Sequence, residues 1–142
     1  MSQIAVQAAG GSYPVFVVRD YAPTLTEVHE SLSPSKTLIV SDPTVSALHL
    51  QPVLAVLGAA TPVEILPTGE AGKNPASLQQ VWEACRTAGL DRHSLIVSLG
   101  GGVVGDVAGF AAATYMRGIR IVHLPTTLLA QVDSAVGGKT AV

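Results

Sequence analysis

Four short apolar runs, Thr37–Val40, Val63–Leu66, Ser94–Leu99 and Ile119–Leu124, recur at about the spacing of one βαβ unit and alternate with helix-like segments. Parallel strands need crossovers long enough to hold a helix, so this alternation predicts a parallel α/β sheet with flanking helices. The chain has 142 residues, 48% of them hydrophobic and 13% charged. That composition suits one compact domain with a sizeable core, not a disordered chain. Upstream, Ile4–Val6 and Tyr13–Val18 flank Gly10-Gly11. An antiparallel hairpin extending one edge of the sheet is expected there.

Helix starts are marked by Asp42-Pro43 and Asn74-Pro75, each a capping side chain directly before a proline suited to the first turn. Leu78, Val81, Trp82 and Cys85 share one face of the second of these helices, which places Trp82 and Cys85 in the core. Pro52 should break or kink the first helix.

Eight Lys and Arg against ten Asp and Glu give a formal net charge of -2 and no basic stripe, so a nucleic-acid partner has no electrostatic support. A single cysteine, Cys85, excludes an internal disulfide framework and suits a reducing, cytoplasmic compartment. Asp106 interrupts the glycine-rich apolar stretch, and the N-terminus has no basic region followed by an apolar one, so neither a membrane span nor a signal peptide is expected. His29, His49, His93 and His123 have no metal-ligand spacing, and no metal ligand is assigned.

Residues 95–106 read LIVSLGGGVVGD, a strand opening into three glycines and a helix start. Glycines here would let the backbone reach φ values closed to other residues and let a pyrophosphate approach the main chain, while the next helix points unpaired N–H groups at it. Gly100, Gly102 and Gly105 match GxGxxG in the required strand-to-helix context. The motif follows a later strand of the parallel series instead of opening the domain, and no acid ends the next strand. The competing reading is a tight strand–helix turn with Asp106 as a first-turn acid favoured by the helix dipole.

Three further sites invite chemistry. Gly138-Lys139-Thr140 imitates the end of a Walker A loop, but the position of its first glycine is Asp133, which would face a triphosphate with negative charge. Asp133 and Lys139 fit better as a carboxylate and an ammonium facing a polyhydroxylated anion, or as two solvated charges on a polar loop. Lys73, in Thr68-Gly69-Glu70-Ala71-Gly72-Lys73, stands beside a positive helix end and needs compensation from Glu70 or a ligand, unless the loop is a free surface loop. Asp42 reads equally as an N-cap or as the acid that holds a ribose at the carboxyl end of a strand.

GGGVVGDVAGFAAATYMRGI followed by LPTTLLAQVDSAVGGKTAV closely resembles the N-terminal half of the 3-dehydroquinate synthase family. PTGEAGK resembles that family's GE-x-x-K loop, and SDPTV stands where the family has an acid after a strand; all four blocks occur in family order. The resemblance implies a Rossmann-like NAD-binding domain over residues 1–142, cut from a longer protein whose helical C-terminal domain carries a divalent metal, zinc or cobalt. It implies cyclisation of 3-deoxy-D-arabino-heptulosonate 7-phosphate to 3-dehydroquinate with phosphate elimination, in the shikimate route to aromatic amino acids. NAD would be used and not consumed. Another sugar-phosphate cyclase, a glycerol-dehydrogenase-like oxidoreductase and a nucleotide-binding fragment without catalysis are the alternatives. The serine of the GGGS-x-x-D loop expected of the dehydrogenase is replaced by Val103.

Carried over residue by residue, the resemblance places Asp42, Thr68, Gly69, Glu70, Ala71, Gly72 and Lys73 on the adenosine and ribose side of NAD. Gly101, Gly102, Val103, Val104, Gly105 and Asp106 would line the pyrophosphate and nicotinamide ribose, and Thr126 and Thr127 further polar groups of the cofactor. Asp133 would contact cofactor and substrate hydroxyls, and Lys139 the anionic substrate and the cofactor. Arg117 matches an arginine that reaches into the neighbouring subunit's site, which implies a homodimer. Ala135 departs from the second serine of many members. The family's metal-binding Glu and two His would lie beyond Val142, so these residues alone are expected to be inactive.

Overall fold

A computed structural model describes all residues from Met1 to Val142. The elements run β1 (Ser2–Ala8), β2 (Gly11–Val17), α1 (Ala22–Leu32), β3 (Thr37–Ser41), α2 (Pro43–Leu57), β4 (Val63–Ile65), α3 (Pro75–Thr87), β5 (Leu95–Gly100), α4 (Gly102–Thr114), β6 (Arg120–Pro125) and α5 (Leu128–Val132), with single 3-10 turns at Glu70–Gly72 and Tyr115–Arg117. Strands β3 to β6 form one parallel sheet in the order β4-β3-β5-β6. Val97 at its centre pairs with Ile39 on one side and Val122 on the other. All four strands fall where the apolar runs predicted them.

Alternation along the strands divides the core into two layers. Ile39, Leu95, Val97 and Leu99 pack with Leu25 of α1 and Val53 of α2 on one face. Leu38, Val40 and Ile96 pack with Leu78, Val81 and Cys85 of α3 and with Val104, Val107 and Ala111 of α4 on the other. Each fully buried aliphatic side chain contributes about 1.5–3 kcal/mol relative to exposure. Trp82 packs against the second layer and donates Nε1–H to Thr114 Oγ1 at 3.1 Å, so Trp82 and Cys85 belong to the core as expected.

The helix starts are also as expected: Asp42 Oδ1 accepts from Val45 N and Asn74 Oδ1 from Ser77 N, both at 2.9 Å. Pro52 does not break α2, which runs unbroken to Leu57. The lost bond would leave the carbonyl of Leu48 unpartnered, and Leu48 is well exposed, so water can serve that carbonyl.

The antiparallel hairpin forms as expected but does not extend the parallel sheet. Its turn is Ala9-Gly10, and β1 and β2 form a separate two-stranded sheet that extends neither edge of the parallel one. Helix α1 begins four residues after β2 and packs along α2 on a face of the sheet, which draws the hairpin away from the strand edges. At the other end of α1, Arg120 of β6 donates to Leu32 O and His93 O, both at 2.6 Å, fastening that helix end to the sheet. No helix is long and apolar enough to cross a membrane.

Candidate functional site

Strand order dictates where a ligand can enter. From β3 the chain passes through α2 to β4 on one side, and from β5 it passes through α4 to β6 on the other. Helices α2 and α4 lie against opposite core layers, so the loops leaving β3 and β5 diverge and open a crevice at the carboxyl ends of adjacent strands. A cleft of about 150 Å³ lies there, lined by Asp42, Pro67, Gly69, Gly101, Gly102, Val103 and Val104. Pro67, which opens the PTGEAGK loop directly after an apolar run, carries no role in the sequence reading. A larger hollow of about 340 Å³ at the amino ends of the strands includes Ser35, Lys36 and Thr61, whose polar groups already bond within the protein.

Strand β5 delivers the three glycines to this cleft, but not for the reason their sequence suggests. None of Gly100, Gly101, Gly102 and Gly105 has a positive φ; Gly101 is extended, at φ -80° and ψ -164°. Gly100 is needed for close packing instead, since a Cβ there would lie 2.7 Å from Cβ of Val104. Left-handed backbone appears in the neighbouring loop, where Gly69 has φ +79°. Helix α4 receives no side-chain cap from Gly101, whereas Asp42, Asn74 and Thr127 cap α2, α3 and α5. Its first N–H groups and the positive end of its dipole therefore face the cleft unneutralised, an arrangement suited to an anion.

Charge compensation follows a different pairing from the one expected. Lys73 Nζ lies 2.8 Å from Asp106 Oδ2, and this hydrogen-bonded carboxylate, aided by the more distant Glu70, raises the lysine above its usual range. Asp106 is not a first-turn acid of α4: it is the fifth helical residue, one turn beyond Gly102, where it reaches across to the loop after β4. Glu70 is exposed, and Ala71 lies with it on the 3-10 turn. Gly72 is buried with no room for a side chain, as a Cβ would lie 2.4 Å from Pro67 O.

The loop after β6 brings two threonines to the same edge. Thr127 Oγ1 accepts from Ala130 N at 3.1 Å, and its methyl lies 3.4 Å from where a Cβ on Gly101 would stand. Thr126 Oγ1 is buried without a hydrogen-bond partner, a state that costs about 1–3 kcal/mol and calls for an external partner. Below α4, His123 Nδ1 bonds Ser98 Oγ at 2.7 Å, and burial pushes the histidine below its ordinary range against the pull of Asp106.

Asp133 and Lys139 are both exposed, Asp133 terminating α5 at the carboxyl edge and Lys139 six residues on, next to Thr140, which packs on Gly109 about two turns down α4, and no ion pair joins them. Arg117 stands apart. It follows α4, whose 13 residues span about 20 Å from the glycine loop. Met116 and Arg117 there have φ of 49° and 68°, sparsely populated for non-glycine residues. Of the residues the sequence singles out, the structure gathers Asp42, Thr68–Lys73, Gly101–Asp106, Thr126, Thr127 and Asp133 at the carboxyl edge, and leaves Arg117 at the opposite one. No three His, Cys, Asp or Glu side chains converge as a metal site would require.

Topology, cleft and uncapped helix together define a doubly wound α/β domain with a cleft at its topological switch point, suited to an anionic ligand. The sequence profile described as 3-dehydroquinate synthase N-terminal matches residues 63–142. The chain belongs to the 3-dehydroquinate synthase family. It is 46% identical over 147 residues to the 3-dehydroquinate synthase of Pelobacter propionicus, an alignment covering all of this chain and 41% of that protein. The chain thus spans about two-fifths of the length of that curated relative. The crystal structure of a 2-deoxy-scyllo-inosose synthase complexed with carbaglucose-6-phosphate, NAD+ and Co2+ superposes with a TM-score of 0.87 at 28% identity, covering 99% of this chain and 40% of that one. A 2-epi-5-epi-valiolone synthase from Streptomyces hygroscopicus with NAD+ and Zn2+ bound superposes with a TM-score of 0.71 at 29% identity, covering 92% and 39%.

Proposed function

We propose that this chain is the NAD-binding domain, residues 1–142, of a 3-dehydroquinate synthase. The protein that carries it would convert 3-deoxy-D-arabino-heptulosonate 7-phosphate to 3-dehydroquinate with loss of phosphate. The cleft between Asp42 and Gly101–Val104 at the switch point carries this reading, because it unites a ribose-binding acid with an uncapped helix start. Relatives named for this activity at 46% identity favour it over the inosose and valiolone cyclases at 28% and 29%.

The residues fit the cofactor. Asp42 has one carboxylate oxygen in its cap and keeps the other for a ribose hydroxyl. The α4 amides would take the pyrophosphate, and the Thr126 hydroxyl a polar group of the cofactor. Lys73 and Asp106, held together, would shape the cofactor side of the cleft. When bound, NAD supplies reversible oxidation of a substrate hydroxyl. Asp133 would accept from hydroxyl groups of cofactor and substrate, and Lys139 would bind the substrate's anionic groups as a charge partner. These residues do not fit a divalent metal, and no step is assigned to one.

The protein would work as a cytoplasmic homodimer. A single buried thiol, Cys85, suits a reducing compartment, and the remoteness of Arg117 from its own cleft suits service to the neighbouring protomer's site. The test is phosphate release by the full protein supplied with NAD, divalent metal and either the heptulosonate phosphate or glucose 6-phosphate. Turnover of the former, with Lys139→Ala raising its KM at least tenfold, is expected. Turnover of glucose 6-phosphate instead would overturn the assignment.

A further inference from the structure

The segment after α5 lies over α4. Ser134 Oγ would be 3.5 and 3.9 Å from a Cβ on Gly102 and Gly105, and Thr140 Cγ2 only 2.4 Å from one on Gly109. These contacts set the segment's depth but give it no polar anchor. From residue 137 to the C-terminus it makes one hydrogen bond: the amide of Gly137 donates to the phenol oxygen of Tyr13 at 2.6 Å. Gly137 lies between Asp133 and Lys139, and its φ of +96° is a conformation a side chain resists. Tyr13 comes from β2, the hairpin that joins no other sheet. Neither Asp133 nor Lys139 has a side-chain bond of its own to fix it.

We propose that Tyr13 is the positioning residue that holds the Gly137–Lys139 stretch in place over α4, which makes the N-terminal hairpin part of the anion-binding side of the site. The proposal rests on the reading of Lys139 as a partner for the substrate's anionic groups. The hydrogen bond fixes the backbone two residues before Lys139, so its loss frees the ammonium to spread over many positions and weakens substrate without touching the cofactor residues.

Tyr13→Phe removes only the acceptor oxygen and keeps the ring. In the full protein, this variant is expected to raise KM for the heptulosonate phosphate about fivefold, the weight of one hydrogen bond. The expected kcat and NAD affinity stay within twofold, and exchange of the Gly137 amide accelerates. Equal losses of NAD affinity and substrate affinity would overturn the proposal, since the phenol would then serve the fold as a whole. An unchanged KM beside a Lys139→Ala variant that loses substrate would overturn it alone. An unchanged KM in both variants would overturn the reading of Lys139, and this proposal with it.

Discussion

Gly109→Ala should leave stability almost unchanged while lifting the C-terminal segment off α4. Gly109 is inside that helix, where alanine is better than glycine by about 1 kcal/mol. The added Cβ would lie 2.4 Å from Thr140 Cγ2, a contact that something must relieve. Thr140 belongs to the stretch from residue 137 onward, held by the single Tyr13 hydrogen bond, whose net worth is about 1 kcal/mol. Gain and loss nearly cancel, so Tm should move by less than roughly 4 °C. Exchange of the Gly137 amide should rise. Thr140→Ser removes the clashing methyl and leaves Thr140 Cβ at 3.5 Å, an ordinary contact. The double variant should recover Gly137 protection and melt about 4 °C above the wild type. Gly100→Ala sets the scale, because its Cβ would meet Val104, a residue 2% exposed in the first turn of α4 that has nowhere to go. Overpacking of that kind costs about 1–3 kcal/mol, or roughly 4–12 °C. Circular dichroism and amide exchange measure both quantities. A Tm loss of about 10 °C in Gly109→Ala, or unaltered Gly137 exchange, would refute this account of the segment.

Two other perturbations have signs set by the structure. Thr126→Val deletes a buried hydroxyl without a partner, so it should raise the Tm of the free chain by roughly 4 °C and weaken NAD severalfold; a loss of stability would contradict the orphaned hydroxyl. His123 is held below its ordinary range by burial, so the fold keeps its full stability above the ordinary histidine value of about 6.5 and loses part of it as pH falls from there toward the depressed folded value, where the unfolded chain takes up a proton that the buried ring refuses. Thermal melts should therefore show the wild type losing more stability than His123→Gln between pH 8 and pH 5, and parallel curves would refute it.

Parallel strands and capped helix starts were legible because each rests on local chemistry: an apolar run, or Asp and Asn before proline. Long-range pairings were not. Nothing near Asp106 in sequence indicates that Lys73, on a loop 33 residues earlier, ends 2.8 Å away, because strand order brings them together. The glycines suggest φ values closed to other residues, yet Gly100 answers to the packing of Val104, a neighbour set by the path of α4. Tyr13 carried no signal, since its partner Gly137 is at the far end of the chain. Arg117 was legible only through family resemblance, and its distance from the cleft is a fact of helix length.

Whether the cleft at the switch point binds a dinucleotide is decided by calorimetric titration of NAD into the wild type and into Gly102→Val. A Cβ at Gly102 would meet Ser134 Oγ at 3.5 Å and Ser134 Cβ at 3.8 Å, both ordinary contacts, while the cleft wall gains bulk where the pyrophosphate must approach. Saturable binding by the wild type and at least tenfold weaker binding by the variant, with Tm within roughly 4 °C, is the predicted result. Equal affinity in both proteins would contradict it.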